Sequence, residues 1–253
     1  AYELRDNNKN YFLGKSVLNA VKNINIIINK KLKNIDSGNQ KKIDKILIEL
    51  DGTENKKKLG ANALLAVSLA VAKAEAISKK KELYQHLSKT FTLPKPLMNI
   101  INWGAHADNN LRIQEFMIRP DSAKNFMEAI EKCFLVIQNL KKILQSKNLL
   151  TNVGDEGGFA PSINSNEEAL ELIVDAIKKS KLKPGIDINI CLDVAANELI
   201  NKDGHYSLNS SEFISVEQCI NYYKNLVTKY PIKSIEDPFA EDDWESCSKL
   251  TKA

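Results

Sequence analysis

The chain has 253 residues, 43% apolar and 27% charged, with 36 Lys and Arg set against 32 Asp and Glu for a formal charge of +4. That is enough chain for one large domain or two smaller ones, and no stretch holds the roughly 18 uninterrupted apolar residues of a membrane helix. A cytosolic protein without membrane insertion is the expectation, because A-Y-E-L-R-D at the start has no signal-peptide apolar region. From Lys15 to Leu32, Val17, Leu18, Val21, Ile24 and Ile28 recur at three- and four-residue spacing, which predicts a helix with one apolar face. A second helix is carried by Ile43, Ile46, Leu47 and Leu50 and stopped by Asp51-Gly52. Asn62 to Ser78 is alanine-rich and apolar on more than one side, as expected of a helix sandwiched between layers. Thr92 to Pro96, with two prolines, reads as a linker, which divides the chain into domains at 1–92 and 93–253.

Beyond the linker the pattern changes to strands followed by helices. Pro96 to Ile101 and Ile113 to Ile118 read as short buried strands, with long amphipathic helices over Ser122 to Lys147 and Asn166 to Ser180. Ile186 to Val194 is a strand in which Asp193 closes I-N-I-C-L-D; Val216 to Lys229 is a helix; and Ile232 to Ile235 is a strand closed by Glu236. This alternation predicts parallel βαβ units, in which side chains at the carboxyl ends of the strands form the site. Lysine runs at 56–58 and 79–81 lack interleaved aromatics, so they read as solvated faces and not as a nucleic-acid surface. Cys133, Cys191, Cys219 and Cys247 lie far apart, which indicates neither a zinc site nor a disulfide framework.

Thr151 to Pro161, T-N-V-G-D-E-G-G-F-A-P, places Asp155 and Glu156 between Gly154 and Gly157-Gly158, a loop built for close backbone approach. Asp193 and Glu236 share the strand-end position, where two carboxylates repel unless a cation or proton relieves them. Each is alternatively a strand-terminating acid that faces water or caps the next helix. In N-I-I-N-W-G-A-H-A-D-N-N-L-R-I-Q-E-F-M, His106 lies in a polar loop and Gln114 and Glu115 open the returning strand. Glu115 is either an outward residue of an alternating strand or a buried acid with a partner, and Glu156 is the candidate partner. A buried pair of that kind could hold a proton at neutral pH.

Several runs resemble the enolase family: E-L-R-D, E-L-D-G-T-E-N-K, L-G-A-N-A, H-A-D-N-N, I-Q-E-F-M-I, N-V-G-D-E-G-G-F-A-P, L-D-V-A-A and S-I-E-D-P-F-A-E-D-D-W, in the family's order along the whole chain. H-A-D-N-N with Q-E-F-M-I is closer to bacterial than to animal versions. The resemblance implies an α/β fold, a small α+β N-terminal domain followed by the first part of an enolase-type (β/α)8 barrel. It also implies reversible Mg²⁺-dependent dehydration of 2-phospho-D-glycerate to phosphoenolpyruvate. By position, Asp193 and Glu236 match Mg²⁺ ligands, Glu236 also lying against the substrate. Glu156 matches the acid that helps the 3-hydroxyl leave, and Glu115 the carboxylate that works with it and contacts substrate. Gln114 and His106 match substrate contacts, His106 on a closing loop. A homo-oligomer, a dimer or larger, is implied, as is a cytoplasmic location with a secondary cell-surface or secreted pool.

The same resemblance implies that the chain spans about the first three-fifths of the family's length. The first strands, the third metal carboxylate and the lysine base would then lie outside it, so that these residues are expected to be inactive alone. Trp103 stands where the family has a glycine of an N-G-G turn, Ser16 and Ala66 replace glycines, and Cys247 replaces a tryptophan. An alternative is a truncated non-catalytic relative that serves as a binding or surface-interaction protein; intact acids at 115, 156, 193 and 236 favour the enzyme.

Overall fold

The computed structural model describes residues 1–102, 111–154, 157–208 and 212–253, and the chain divides into two compact units, Ala1–Thr92 and Leu93–Ala253. The described residues of the first unit are helical with extended connections. Helix α1 (Leu18–Lys22) runs through a π-helical stretch at Asn23–Ile28 into α2 (Asn29–Leu32), so the apolar periodicity yields one continuous helix with a loosened middle. Asp6 caps it from outside, accepting hydrogen bonds from the Ser16 hydroxyl (2.6 Å) and from the backbone of Leu18 (2.7 Å) and Asn19 (2.9 Å). Those bonds, the Ser16 hydroxyl first, hold the Asp6 carboxyl below its ordinary pKa.

Helix α3 (Gln40–Asp51) starts on the Asn39 side chain and stops at Gly52, whose φ of 69° is the left-handed cap that glycine tolerates. Asp51 is buried and accepts from the backbone of Thr53 and Leu59, tying the helix end to the following turn. Helix α4 (Ala61–Ser78) is long and apolar enough to cross a membrane by length and composition alone. It nevertheless carries a buried Glu75, bound to the Ser37 hydroxyl and paired with Lys79 at 2.9 Å. One side of α4 packs Ala63 and Leu64 into a core with Ile28, Ile43 and Leu47. The sandwiched position expected from its composition is not what the described residues form, since Leu65 and Ile77 on the remaining surface are 59% and 75% exposed. A short helix, α5 (Leu83–Leu87), follows.

The second unit is built on one sheet with helices against it. Its strands are β1 (Met98–Asn102), β2 (Glu115–Arg119), β3 (Val153–Gly154), β4 (Gly157–Phe159), β5 (Asn189–Asp193) and β6 (Ile232–Glu236). Helices α6 (Phe126–Ser146), α7 (Asn166–Lys179), α8 (Val216–Lys229) and α9 (Trp244–Lys252) fall between and after them. Asn125, Ser165 and Ser215 cap α6, α7 and α8 by accepting from the backbone N–H three residues on, which is why those helices begin where they do. Strand order is β3-β4-β1-β2-β5-β6. The all-parallel reading of this unit does not hold: β1 is parallel to β4 and β5 to β6, but β2 is antiparallel to both β1 and β5. The connection between β1 and β2, residues 103–114, is twelve residues, the minimum for the helical crossover that a parallel neighbour requires, and so leaves the antiparallel arrangement the easier one.

Register sorts the sheet into two faces. Phe116 pairs with Leu192 and Leu192 with Ile235, Ile118 with Ile190 and Ile190 with Ile232, and these residues join Val136, Leu140 and Ile173 from the helices in one core. On the alternate positions Glu115 pairs with Asp193, Met117 with Cys191 and Arg119 with Asn189, a face of mixed polarity. Far from the acids, Arg119 makes a bidentate pair with Asp121 (2.7 and 2.8 Å), and the Asn189 amide donates to the same carboxylate. This clamp joins the end of β2 to the start of β5 and so fixes their register, where a slip of one residue would turn the acids to the other face.

The Asp121 carboxyl lies below its ordinary pKa because of the Arg119 hydrogen bonds, which outweigh the opposing effect of burial. A folded-state value below the unfolded one, about 3.9, makes its contribution to stability full above that value and lost as pH falls through the folded value. Asp121→Asn is therefore expected to lower stability at neutral pH and to flatten the acid limb below about pH 4, where mutant and wild type converge. Urea titrations from neutral pH to about pH 2 measure this, and parallel curves would contradict it.

Candidate active site

Three acids come together at one end of the sheet. Asp193 is the last residue of β5 and Glu236 the last of β6, in register as parallel partners, and Glu115, the first residue of β2, is the antiparallel partner of Asp193. Because β2 runs the other way, its first residue lies level with the last residues of β5 and β6. Directly paired residues point to the same side of a sheet, so the row Glu115, Asp193, Glu236 lies on the mixed face. Asn102, the last residue of β1, pairs with Glu115 and extends the row. Glu115 and Asp193 are half-buried and Glu236 is exposed. Gln114, half-buried in the bend before β2, adjoins Glu115 in the chain. His106 and Glu156, with Trp103, lie outside the described residues.

Backbone geometry after both acid-bearing strands is unusual. Ala195, two residues beyond Asp193, has φ 49°, and Asp237, next to Glu236, has φ 43°, both in the left-handed region that side chains disfavour. The turn at Ala195 lets its own N–H donate to Asp193 Oδ1 at 3.1 Å, and the N–H of Val194 and Ala196 donate to the carbonyls of Glu236 and Asp237. The two strand ends are thus bound to each other beyond the ladder. Strain of this sort collects where a side chain must be aimed and not merely packed.

In the stretch 151–161, β3 and β4 pair antiparallel, Val153 with Phe159 and Gly154 with Gly157. β4 lies beside β1, Phe159 pairing with Ile101, and the Asn102 amide donates to the Gly157 carbonyl. A Cβ on Gly154 would lie 2.8 Å from Asn102 Nδ2, and one on Gly158 3.0 Å from Asn102 Oδ1 and 3.1 Å from the Ile100 backbone. Gly154 and Gly158 are therefore required by the close approach of β1. Buried amide atoms with no hydrogen-bond partner among the described residues gather on the mixed face: both of Asn99, and Oδ1 of Asn102 and of Asn189. Buried polar atoms without protein partners are rare in native folds and fit a face that meets water or a polar ligand.

Oxygen donors at neighbouring strand ends suit a hard divalent cation, though no group of three His, Cys, Asp or Glu able to hold a metal occurs among the described residues. The four cysteines are free; burial raises the Cys133 thiol to about 11 and Cys219 to about 12, which keeps both protonated and unreactive. Sequence reasoning singles out neither Asn102 nor Asn166. Each is an asparagine at the edge of an apolar run, M-N-I-I-N and S-N-E-E-A-L, where a polar side chain near a core is the available signal.

A family model described as the enolase C-terminal TIM barrel domain matches residues 90–253, and one described as the enolase N-terminal domain matches residues 1–87. An enolase of Pelagibacter ubique (strain HTCC1062) is 58% identical over 254 residues, which cover the whole of this chain. The mixed sheet with its covering helices is thus part of a TIM-barrel domain that follows a separate N-terminal domain. The chain belongs to the enolase family, and it spans 60% of the length of that curated relative.

The glycines of β4 separate two costs. Gly157 (φ 83°) and Gly158 (φ 69°) are both left-handed, but a Cβ on Gly157 would meet nothing within 4 Å. Gly157→Ala should cost about 1–2 kcal/mol from backbone strain alone, and Gly158→Ala more, by a further 1–3 kcal/mol or so for the clash with β1. Chemical denaturation of both variants checks the order, and equal losses would show that β1 does not press on the loop.

Proposed function

We propose that the gene product carrying these residues catalyses the reversible dehydration of 2-phospho-D-glycerate to phosphoenolpyruvate with Mg²⁺. The observation that carries this reading is the in-register row Glu115, Asp193 and Glu236 in a chain of the enolase family. Asp193 and Glu236 would hold the cation, each offering hard carboxylate oxygens from adjacent strand ends. When bound, Mg²⁺ neutralises the substrate carboxylate and the negative charge that grows on it as the C2 proton leaves. Glu156 supplies a proton to the 3-hydroxyl, so that the C3–O bond breaks and water departs. Glu115 shares the proton of Glu156 and keeps it available at neutral pH. Gln114 and His106 orient the substrate by hydrogen bonds, and Glu236 lies against it as well as against the metal. A cytoplasmic homo-oligomer is part of the same reading.

The paired acids give the first test. In the complete gene product, Asp193→Asn and Glu236→Gln should each lower kcat/KM by about 100-fold or more and raise the Mg²⁺ needed for half-maximal rate at least about tenfold. Phosphoenolpyruvate absorbance across a Mg²⁺ series measures both, and an unchanged Mg²⁺ requirement would remove these residues from the metal site.

Residues 1–253 assayed alone should bind Mg²⁺ weakly, because two carboxylates leave most of an octahedral shell to water. The assigned residues also include no base for the C2 proton, so no turnover above background is expected from them. Titration calorimetry and the same absorbance assay decide this; tight Mg²⁺ binding or measurable turnover would contradict the assignment.

A further inference from the structure

Asn166 is the first residue of α7 and is 1% exposed. Its carboxamide uses four hydrogen-bonding positions, which is the full capacity of a primary amide. The carbonyl oxygen accepts from the backbone N–H of Arg112 (3.2 Å) and Ile113 (3.4 Å), and the amide nitrogen donates to the Leu208 carbonyl (2.7 Å) and the Tyr222 hydroxyl (3.1 Å). One buried side chain therefore joins α7, the residues just before Gln114 and Glu115, the segment at Leu208, and α8, the helix that leads to β6 and Glu236. The residues it grips, Arg112 and Ile113, precede β2, so they lack the ladder bonds that hold Glu115 to Asp193. Without the Asn166 carbonyl their N–H groups would have to find another acceptor or go unpaired.

We infer that Asn166 is a positioning residue for the reaction: through the backbone of Arg112 and Ile113 it sets where Gln114 and Glu115 stand relative to Asp193. This rests on the enolase reading of the site. The acceptor arm does the positioning, and the donor arm anchors the side chain against α8. Aspartate keeps an acceptor toward Arg112 and Ile113 but sets its second oxygen against the Leu208 carbonyl, alanine keeps neither arm, and serine is too short to span the gap. Removing the Tyr222 hydroxyl loosens the donor arm alone.

The test uses the complete gene product with 2-phosphoglycerate and saturating Mg²⁺. Asn166→Ala should lower kcat at least about tenfold and change KM by less than about threefold. Tyr222→Phe should stay within about threefold of wild type. Amide exchange at Arg112 and Ile113 should quicken in Asn166→Ala and not in Tyr222→Phe. Asn166→Ser gives the same comparison if the alanine variant does not fold. Wild-type kcat in Asn166→Ala, or an equal loss in Tyr222→Phe, overturns the inference. Absence of turnover by the wild-type protein overturns the enolase reading and the inference with it; turnover with an indifferent Asn166→Ala overturns the inference alone.

Discussion

The candidate site depends on the antiparallel pairing of β2 with β5. Acids at the ends of parallel strands meet through ordinary βα topology, as Asp193 and Glu236 do. Glu115 stands at the beginning of its strand and would lie at the far end of the sheet were β2 parallel to its neighbours. Reversal of this one strand brings it level with Asp193. The Arg119–Asp121–Asn189 clamp at the opposite end holds the same two strands in the register that this requires.

Electrostatic cost follows from that geometry. Opposed carboxylates on adjacent strands repel, more strongly where half-buried than in water. Such a row persists when protons, hydrogen bonds or a cation relieve it. Asp193 has part of that relief in the Ala195 N–H, itself obtained by placing an alanine in the left-handed region. The local strain at Ala195 and Asp237 is offset elsewhere in the unit by the apolar face, where Phe116, Ile118, Ile190 and Leu192 are fully buried.

Much of this was legible in the sequence because it is local. Stripes at three- and four-residue spacing gave the helices over Gln40–Asp51, Phe126–Ser146, Asn166–Lys179 and Val216–Lys229, and short apolar runs ending in acids gave β5 and β6. Strand direction was not legible, since a buried run such as E-F-M-I-R reads alike in either sense. The length of the connection from Asn102 to Glu115 was the available clue, because it leaves little room for a crossover helix. The single buried face of α4 was also hidden: alanine and leucine all round indicate low polarity without saying which side is covered. Of the site itself, the strand-end acids could be read one by one, but their common row required the register.

What the sequence conceals most completely is the role of amides. Asparagine is common in this chain, and some, such as Asn39 and Asn125, cap helices, where they need no further account. Asn102 and Asn166 differ because both are buried and both reach backbone far away in sequence, at Gly157 and at Arg112, Ile113 and Leu208. A buried amide costs free energy unless its geometry is met, so it constrains the chain segments around it more tightly than an apolar residue of the same volume would. The segments so constrained are the glycine-rich strand β4 at Gly157 and the residues before Glu115. In this fold the acids are placed by the ladder, and the backbone leading to them is placed by asparagine.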